Sequence, residues 1–394
     1  MNTMPPLVEI IREKIRSNGP VTFSWFMEQA LYHPEFGYYT APRQRIGRAG
    51  DFYTNVSVGP VLGDMLASQL LKMWEKLGRT EEFTIAEQGA EDGQLALDIL
   101  SAIQSREGEL PGHLHYVIVE PHIEKQRQQR ARLEPDFVEN ITWAAEVVDL
   151  NPMTGAFISN ELVDALPVRI VEFQDDRWSE LLVEARGTRF EFIATGDLAP
   201  DLAAALCKLP TPIAQPYRTE VNLNSTQWIR SVAAKLKAGF VLTIDYGFPR
   251  DEYYKLERTE GTLTAYSRHR RLDNPLDDPG KIDITAHVDF TSLAEAGESA
   301  GLTLAGYTDQ HHFMVGAGEA DLRRLEQQVA KSGLTKHHSA FLAGYRTLMH
   351  PGVMGMAFKY LLLQKGLLGD SSLSGFRYAG DPSQALDLNR GNRP

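Results

Sequence analysis

Residues 83–100, FTIAEQGAEDGQLALDIL, read as a strand, a tight turn and a helix. Phe83 and Ile85 open the stretch, Glu87, Gly89 and Gly93 form its middle, and Leu95, Leu97, Ile99 and Leu100 close it. Glycines between a buried strand and a helix let a ligand approach the backbone closely. The spacing is neither G-x-G-x-x-G nor a P-loop. Glu91 and Asp92 also stand where a phosphate would be repelled. The turn therefore suits a ligand without a pyrophosphate.

Outward from this turn, strand and helix patterns alternate. LHYVIVEP is a second apolar strand ending in Glu120, followed by the charged helix HIEKQRQQRARL. AFIS opens into a loop at Asn160, and GFVLTIDYG is a buried strand reaching Asp245. Such alternation predicts an α/β fold with a doubly wound, mostly parallel sheet. Residues 1–80 read as a helical region with an ordered loop rich in Gly, Pro and Tyr. Residues 81–365 read as the main domain, interrupted at about 168–238 by an inserted antiparallel segment and a helix. Helices follow, then MHPGVMGMAFKYLLLQKG as a turn leading into a helix or strand. Residues 366–394 read as a polar, loosely held tail.

Composition narrows the function classes. The net charge of −12 argues against a nucleic-acid partner, which needs a basic face. No apolar run reaches the length of about 18 residues that a membrane helix requires. A single cysteine, Cys207, excludes an intrachain disulfide and a cysteine-based zinc site. The start, MNTMPPLVEIIREKI, lacks the pattern of a secretion signal or transit peptide, so a cytoplasmic, bacterial setting is expected over a mitochondrial one. His269, His287, His311 and His312 lack the spacing of metal ligands, and no metal is expected.

In an open α/β sheet, ligands bind beyond the carboxyl ends of the strands. Glu87, Gly89, Gly93, Glu120, Asn160, Glu161, Asp164 and Asp245 gather there. An acid at the end of the second strand suits the two hydroxyls of a ribose. A ligand with an adenosine ribose, a cationic centre and no phosphate explains the acidic turn, and S-adenosylmethionine has that character.

The motifs HPEFGYYT, GDFYT, the glycine turn, SNELVDALPV, IDYG, GTLTAY, DITAHVDF and MGMAFKYLLLQKG occur in that order. From about residue 7 to 365 the chain resembles the MidA-like S-adenosylmethionine-dependent methyltransferases, which include the mitochondrial protein arginine methyltransferase of complex I assembly. The resemblance implies a Rossmann-like class I methyltransferase sheet. It depends most on NELVDALPV. Two departures stand out. Where the family reads Glu-Leu-Gly-Pro-Gly-Arg-Gly, this chain has Gln88, Ala90, Glu91 and Asp92, and Asn55, Val56 and Ser57 replace Ser-Pro-Glu after GDFYT.

The resemblance implies methyl transfer to an arginine side chain of a protein partner, a respiratory or other multi-subunit complex component being one option. Glu87, Gly89, Gly93, Glu120, Tyr39 and Asp51 are the expected cofactor residues, with Tyr39 read either as a lid or as a core aromatic. Glu161 and Asp164 are expected to grip a guanidinium, with Asn160 positioning a nearby group. Asp164 has a second reading, as the cap of a following helix. Methylation of a small molecule, a partner-binding assembly factor with little catalysis, and an NAD-linked oxidoreductase are the alternatives. The oligomeric state stays open, a homodimer included.

Overall fold

The computed structural model describes residues 5–41, 55–107, 112–187, 189–211, 214–267, 270–367 and 372–388. The chain forms two compact units, each assembled from three separate stretches.

The larger unit comprises Thr54–Leu162, Trp228–Gly247 and Phe290–Pro394. Its sheet is built from β1 (Phe83–Gln88), β2 (Leu114–Val119), β3 (Ile141–Ala144), β4 (Met153–Asn160), β5 (Leu236–Phe248), β6 (Thr303–Asp309) and β7 (Phe358–Lys365). Their spatial order is 3-2-1-4-5-7-6. The first five strands run parallel, and β7 runs antiparallel to both of its neighbours. The direction of winding reverses between β1 and β4, which places a topological switch point at their carboxyl ends.

Helices α1 (Val61–Lys76) and α2 (Gln94–Glu107) pack Leu62, Leu66, Leu70, Ile99 and Ile103 onto Phe83, Ile85, Tyr116, Ala156 and Phe240 of the sheet. The unit also carries α3 (Ile123–Phe137), α4 (Phe290–Ser299), α5 (Gln310–Ser332) and α6 (Lys336–Met349). Asp309 caps α5 by accepting the His312 N–H at 2.9 Å. The stretch at 349–366 resolves as a turn and then β7, because Leu361, Leu362 and Leu363 are all buried between strands on both sides. A run apolar at every position suits a central strand, not an amphipathic helix.

Two expectations are corrected. Residues 372–388 are not a loose tail: Leu373 and Leu386 are buried, the Phe376 ring meets Phe313 edge-on, and the Thr291 hydroxyl donates to the Leu386 carbonyl at 2.9 Å. Leu373, Phe376 and Leu386 are enough to dock it. The division at residue 80 also fails, because α1 belongs with the parallel sheet while the first two helices belong to the other unit.

That smaller unit comprises Met1–Tyr53, Val163–Gln227 and Phe248–Asp289. Its antiparallel sheet uses Arg169–Gln174, Arg177–Arg186, Arg189–Thr195 and Tyr217–Val221. The two-residue strand Val21–Thr22 joins at Leu182 and Val183. Helices Pro6–Asn18 and Phe23–Tyr32 bury Leu7, Ile11, Phe23 and Phe26 against Ile170, Leu181 and Val183. The antiparallel strands end at Val221, the helix Leu223–Lys235 follows, and Leu236 starts β5.

Candidate functional site

The strand ends at the switch point bring together most of the residues singled out in the sequence. After β1 the chain turns through Gly89 at φ 86°, Glu91 at φ 46° and Gly93 at φ 84°. A side chain at Gly89 would meet the Leu162 Cβ at 3.3 Å and approach the Asn160 carbonyl at 3.6 Å. At Gly93 it would meet Leu133 at 3.2 Å and Gln129 at 3.5 Å, both on α3. The turn is therefore walled by the segment after β4 on one side and by α3 on the other.

Glu91 holds a left-handed conformation that costs a non-glycine residue about 1–2 kcal/mol. Two α3 side chains secure it. Gln129, fully buried, donates to the Glu91 carbonyl at 2.8 Å, and Lys125 pairs with its carboxylate at 2.5 Å. Asp92 accepts the Gln94 N–H at 3.2 Å and pairs with Arg132 at 2.9 Å. The acids of the turn are thus partly neutralised by a basic helix that the sequence reading did not connect to them. A basic residue in a charged helix looks like solvated surface until its facing partner is known.

Glu120, at the end of β2, is only 6% exposed. One carboxylate oxygen accepts the His122 N–H at 2.9 Å, and its carbonyl accepts from Gln126 at 2.7 Å. Burial raises its pKa, while Lys125 and the His122 N–H pull it back down. Glu87 lies differently. It is 1% exposed on the sheet face of Phe83 and Ile85, and accepts the Tyr116 hydroxyl at 2.7 Å. Burial pushes its pKa up to about 7, against the lowering effect of that hydrogen bond.

After β4, Asn160 exchanges two amide hydrogen bonds with Asn55, at 2.8 and 3.1 Å, and donates to Glu161 at 3.3 Å. Glu161 sits at φ 52°, fixed by its N–H to the Ile244 carbonyl at 3.0 Å. Asp245, fully buried, accepts the N–H groups of Leu162 at 3.2 Å and Tyr246 at 2.8 Å. Asn55 entered the sequence reading only as a departure from a motif, and its buried position shows why an amide there matters.

Asp164 and Tyr39 belong to the smaller unit, so the expected pair Glu161–Asp164 is divided between units. A turn and then strand Arg169–Gln174 follow Asp164, so there is no helix for it to cap. It is 8% exposed, with its carbonyl accepting the Ala286 N–H at 2.9 Å. The Tyr39 hydroxyl donates to Asp283 at 2.6 Å, and its ring packs on Tyr32 and Tyr38. Burial, then Asp283, raises the Tyr39 pKa well above its usual value. Within its unit Tyr39 is thus a half-buried aromatic held by a hydrogen bond to Asp283. Asp51 and His269 lie outside the described residues.

Among the described residues no group of three or more His, Cys, Asp and Glu side chains is arranged to hold a metal. His311 contacts the Met349 carbonyl and His312 contacts Asp309, each at 2.8 Å. No described helix is long and apolar enough to cross a membrane.

The groups at the strand ends fit S-adenosylmethionine. A tight positive-φ turn gives backbone access, and Glu120 offers carboxylate oxygens at the end of β2, as a ligand with a ribose and no phosphate requires.

Comparisons with known proteins agree. Residues 65–308 match the family profile described as "Putative S-adenosyl-L-methionine-dependent methyltransferase". A Drosophila melanogaster relative named protein arginine methyltransferase NDUFAF7 homolog, mitochondrial, is 29% identical, covering 92% of this chain and 85% of its own. The human protein arginine methyltransferase NDUFAF7, mitochondrial, is 26% identical over 98% of this chain and 88% of its own. A crystal structure from Burkholderia thailandensis, bound to S-adenosyl-homocysteine, is 31% identical with a TM-score of 0.83, covering 96% of this chain and 98% of that one. The expected cytoplasmic setting is corrected by these names, since the fly, frog and human relatives are all mitochondrial proteins. The N-terminal sequence does not support choosing the cytoplasm over the mitochondrion. The cofactor read from the acidic turn and the enzyme class implied by the resemblance stand, and the chain belongs to this family, the MidA-like S-adenosylmethionine-dependent methyltransferases.

Proposed function

We propose that the enzyme transfers a methyl group to an arginine side chain of a protein partner. The names of the fly and human relatives support the acceptor class. Within this chain the reading rests on one observation. Glu161, half-buried, is held in a left-handed turn beyond β4, at the switch point and beside the glycine turn. Non-glycine residues in that region cost about 1–3 kcal/mol and cluster where function demands a fixed side chain.

When bound, S-adenosylmethionine supplies a methyl group that is already electrophilic. The residues of the chain then have three tasks. Glu120 accepts hydrogen bonds from the ribose hydroxyls. The turn at Gly89 receives the amino-acid end of the cofactor. Glu161 accepts hydrogen bonds from the guanidinium fork, localises its positive charge away from the attacking nitrogen, and takes that nitrogen's proton as the new N–C bond forms and S-adenosyl-homocysteine departs. The Asn55–Asn160 amide pair and Asp245 fix the backbone around Glu161, so little reorganisation is needed at transfer. Asp164 is proposed as a further carboxylate of the reaction, to be tested by itself.

The decisive experiment incubates the enzyme with methyl-labelled S-adenosylmethionine and a lysate, then separates protein from small molecules and hydrolyses the protein. Label in methylarginine supports the reading. Label only in the small-molecule fraction overturns it.

A further inference from the structure

We propose that Lys125 is a positioning residue for the cofactor: anchored by Glu91, it holds its charge beside Glu120 and so fixes the ribose-binding carboxylate. This rests on the reading of Glu120 as the ribose acceptor. Lys125 occupies the first turn of α3, two residues into a helix that starts just after the Glu120-Pro121-His122 corner. Its side chain is 15% exposed, and Glu91 holds it at 2.5 Å from the other side of the turn.

The arrangement is a chain of acid, base and acid. Glu91 is fixed at the backbone by its left-handed conformation and by Gln129, and its carboxylate meets the Lys125 ammonium at 2.5 Å. Lys125 lowers the pKa of Glu120 and Glu91 raises it, so the three groups act on one another. Without the ammonium, the charge of Glu91 would act on Glu120 unopposed, and its carboxylate would swing away or take up a proton. Either change removes acceptors from the ribose. The helix also presents its N-terminus there, with the His122 N–H on one Glu120 oxygen. Lys125 therefore completes what the backbone begins.

The test is a double-mutant cycle on the full chain, with S-adenosyl-homocysteine affinity read by calorimetry and the melting temperature of the free protein as control. Lys125→Met should weaken binding about tenfold, a step of about 1.4 kcal/mol, with the melting temperature nearly unchanged. Lys125→Arg should recover most of the loss. In a Glu120→Gln background, Lys125→Met should change affinity less than about twofold, because the group it positions has already gone. Glu91→Gln, which removes the anchor and keeps the ammonium, should weaken binding by a smaller factor than Lys125→Met. Wild-type binding by Lys125→Met overturns the inference, as does a full tenfold loss on top of Glu120→Gln. Unchanged affinity in Glu120→Gln alone overturns the ribose assignment and, with it, this inference.

Discussion

Glu220 and Glu161 sit at or just past the end of a strand, one in each unit, and their surroundings differ. Glu220 is 2% exposed. It accepts the Thr262 N–H at 2.9 Å, the Thr262 hydroxyl at 3.0 Å, the Leu263 N–H at 3.1 Å and the Tyr253 hydroxyl at 3.1 Å. A carboxylate has about four acceptor sites, and these four donors fill them. A side chain at Gly261 would come within 2.1 Å of the same carboxylate, so no space remains for a ligand. Glu161 is instead half-buried, and what the fold fixes there is its strained backbone. An acid saturated by its own unit is structural. An acid on a constrained backbone at a switch point is the candidate for chemistry.

The largest expected effect breaks that contrast on the catalytic side. Glu161→Gln keeps size and one hydrogen-bonding oxygen but removes the charge. Methyl transfer should fall roughly 10²–10³-fold, the range seen when a positioned proton-handling group is lost, while S-adenosyl-homocysteine affinity and melting temperature stay near wild type. Asp164→Asn, with no helix to cap, should also lower transfer without unfolding the protein. Wild-type turnover in both variants would remove the carboxylate mechanism.

Glu220→Ala should do the reverse. Four donors lose their acceptor in a buried site, which costs roughly 3–5 kcal/mol by analogy with breaking a buried charged network. Chemical denaturation would show the loss, and protein that remains folded should bind S-adenosyl-homocysteine normally. A stable but non-binding Glu220→Ala protein would mean that the structural assignment is wrong.

Glu87 supplies a pH test of comparable size. Burial raises its pKa from 4.5 to about 7, so the folded state holds its proton more tightly than the unfolded chain. The sign follows: its contribution to stability is full below pH 4.5 and is lost as pH rises through about 7. At about 1.4 kcal/mol per pH unit, that span amounts to roughly 3 kcal/mol. Glu87→Gln, which can still accept the Tyr116 hydroxyl, should remove this slope and be the more stable form at pH 8. Parallel stability–pH curves for the two proteins would show that Glu87 stays charged in the fold.

How much of this was legible in the sequence varies with the physical signal. β1, β2, β4 and β5 are buried strands with apolar runs, and their ends carry Gly89, Glu120, Asn160 and Asp245, so sheet and rim could be read together. The antiparallel insertion was readable from its alternation. The regrouping of the first two helices with that insertion was not, since it depends on Leu7, Ile11 and Phe23 finding Ile170 and Val183 far along the chain. Val21–Thr22 is too short a strand to leave a pattern. Asn55 and Lys125 were invisible as site residues for a related reason: each acquires meaning only from a partner remote in sequence, Asn160 or Glu91. Tyr39 shows the converse, where a motif marked the residue but only Asp283 reveals its hydrogen-bonded setting.

The smallest expected effect compares the two strained glutamates of the larger unit. Glu91→Gly replaces a residue at φ 46° by the one amino acid that adopts it freely, which gains about 1–2 kcal/mol of relieved strain. Against this stand the added freedom of glycine in the unfolded chain, about 0.5–1 kcal/mol, and the Lys125 pair, which at partial exposure is worth no more than about 1 kcal/mol. These terms nearly cancel, so denaturation should detect a change of less than about 1 kcal/mol in either direction. Gln129 bonds the Glu91 carbonyl, a backbone group that the substitution keeps, so the turn should hold its path. A loss above about 2 kcal/mol would exceed both opposing terms together and would show that the Lys125 pair, not the backbone, holds the turn. The same substitution at Glu161 should relieve similar strain with equally little change in stability, yet abolish transfer. A stable, active Glu161→Gly enzyme would leave the strained backbone beyond β4 without a chemical purpose.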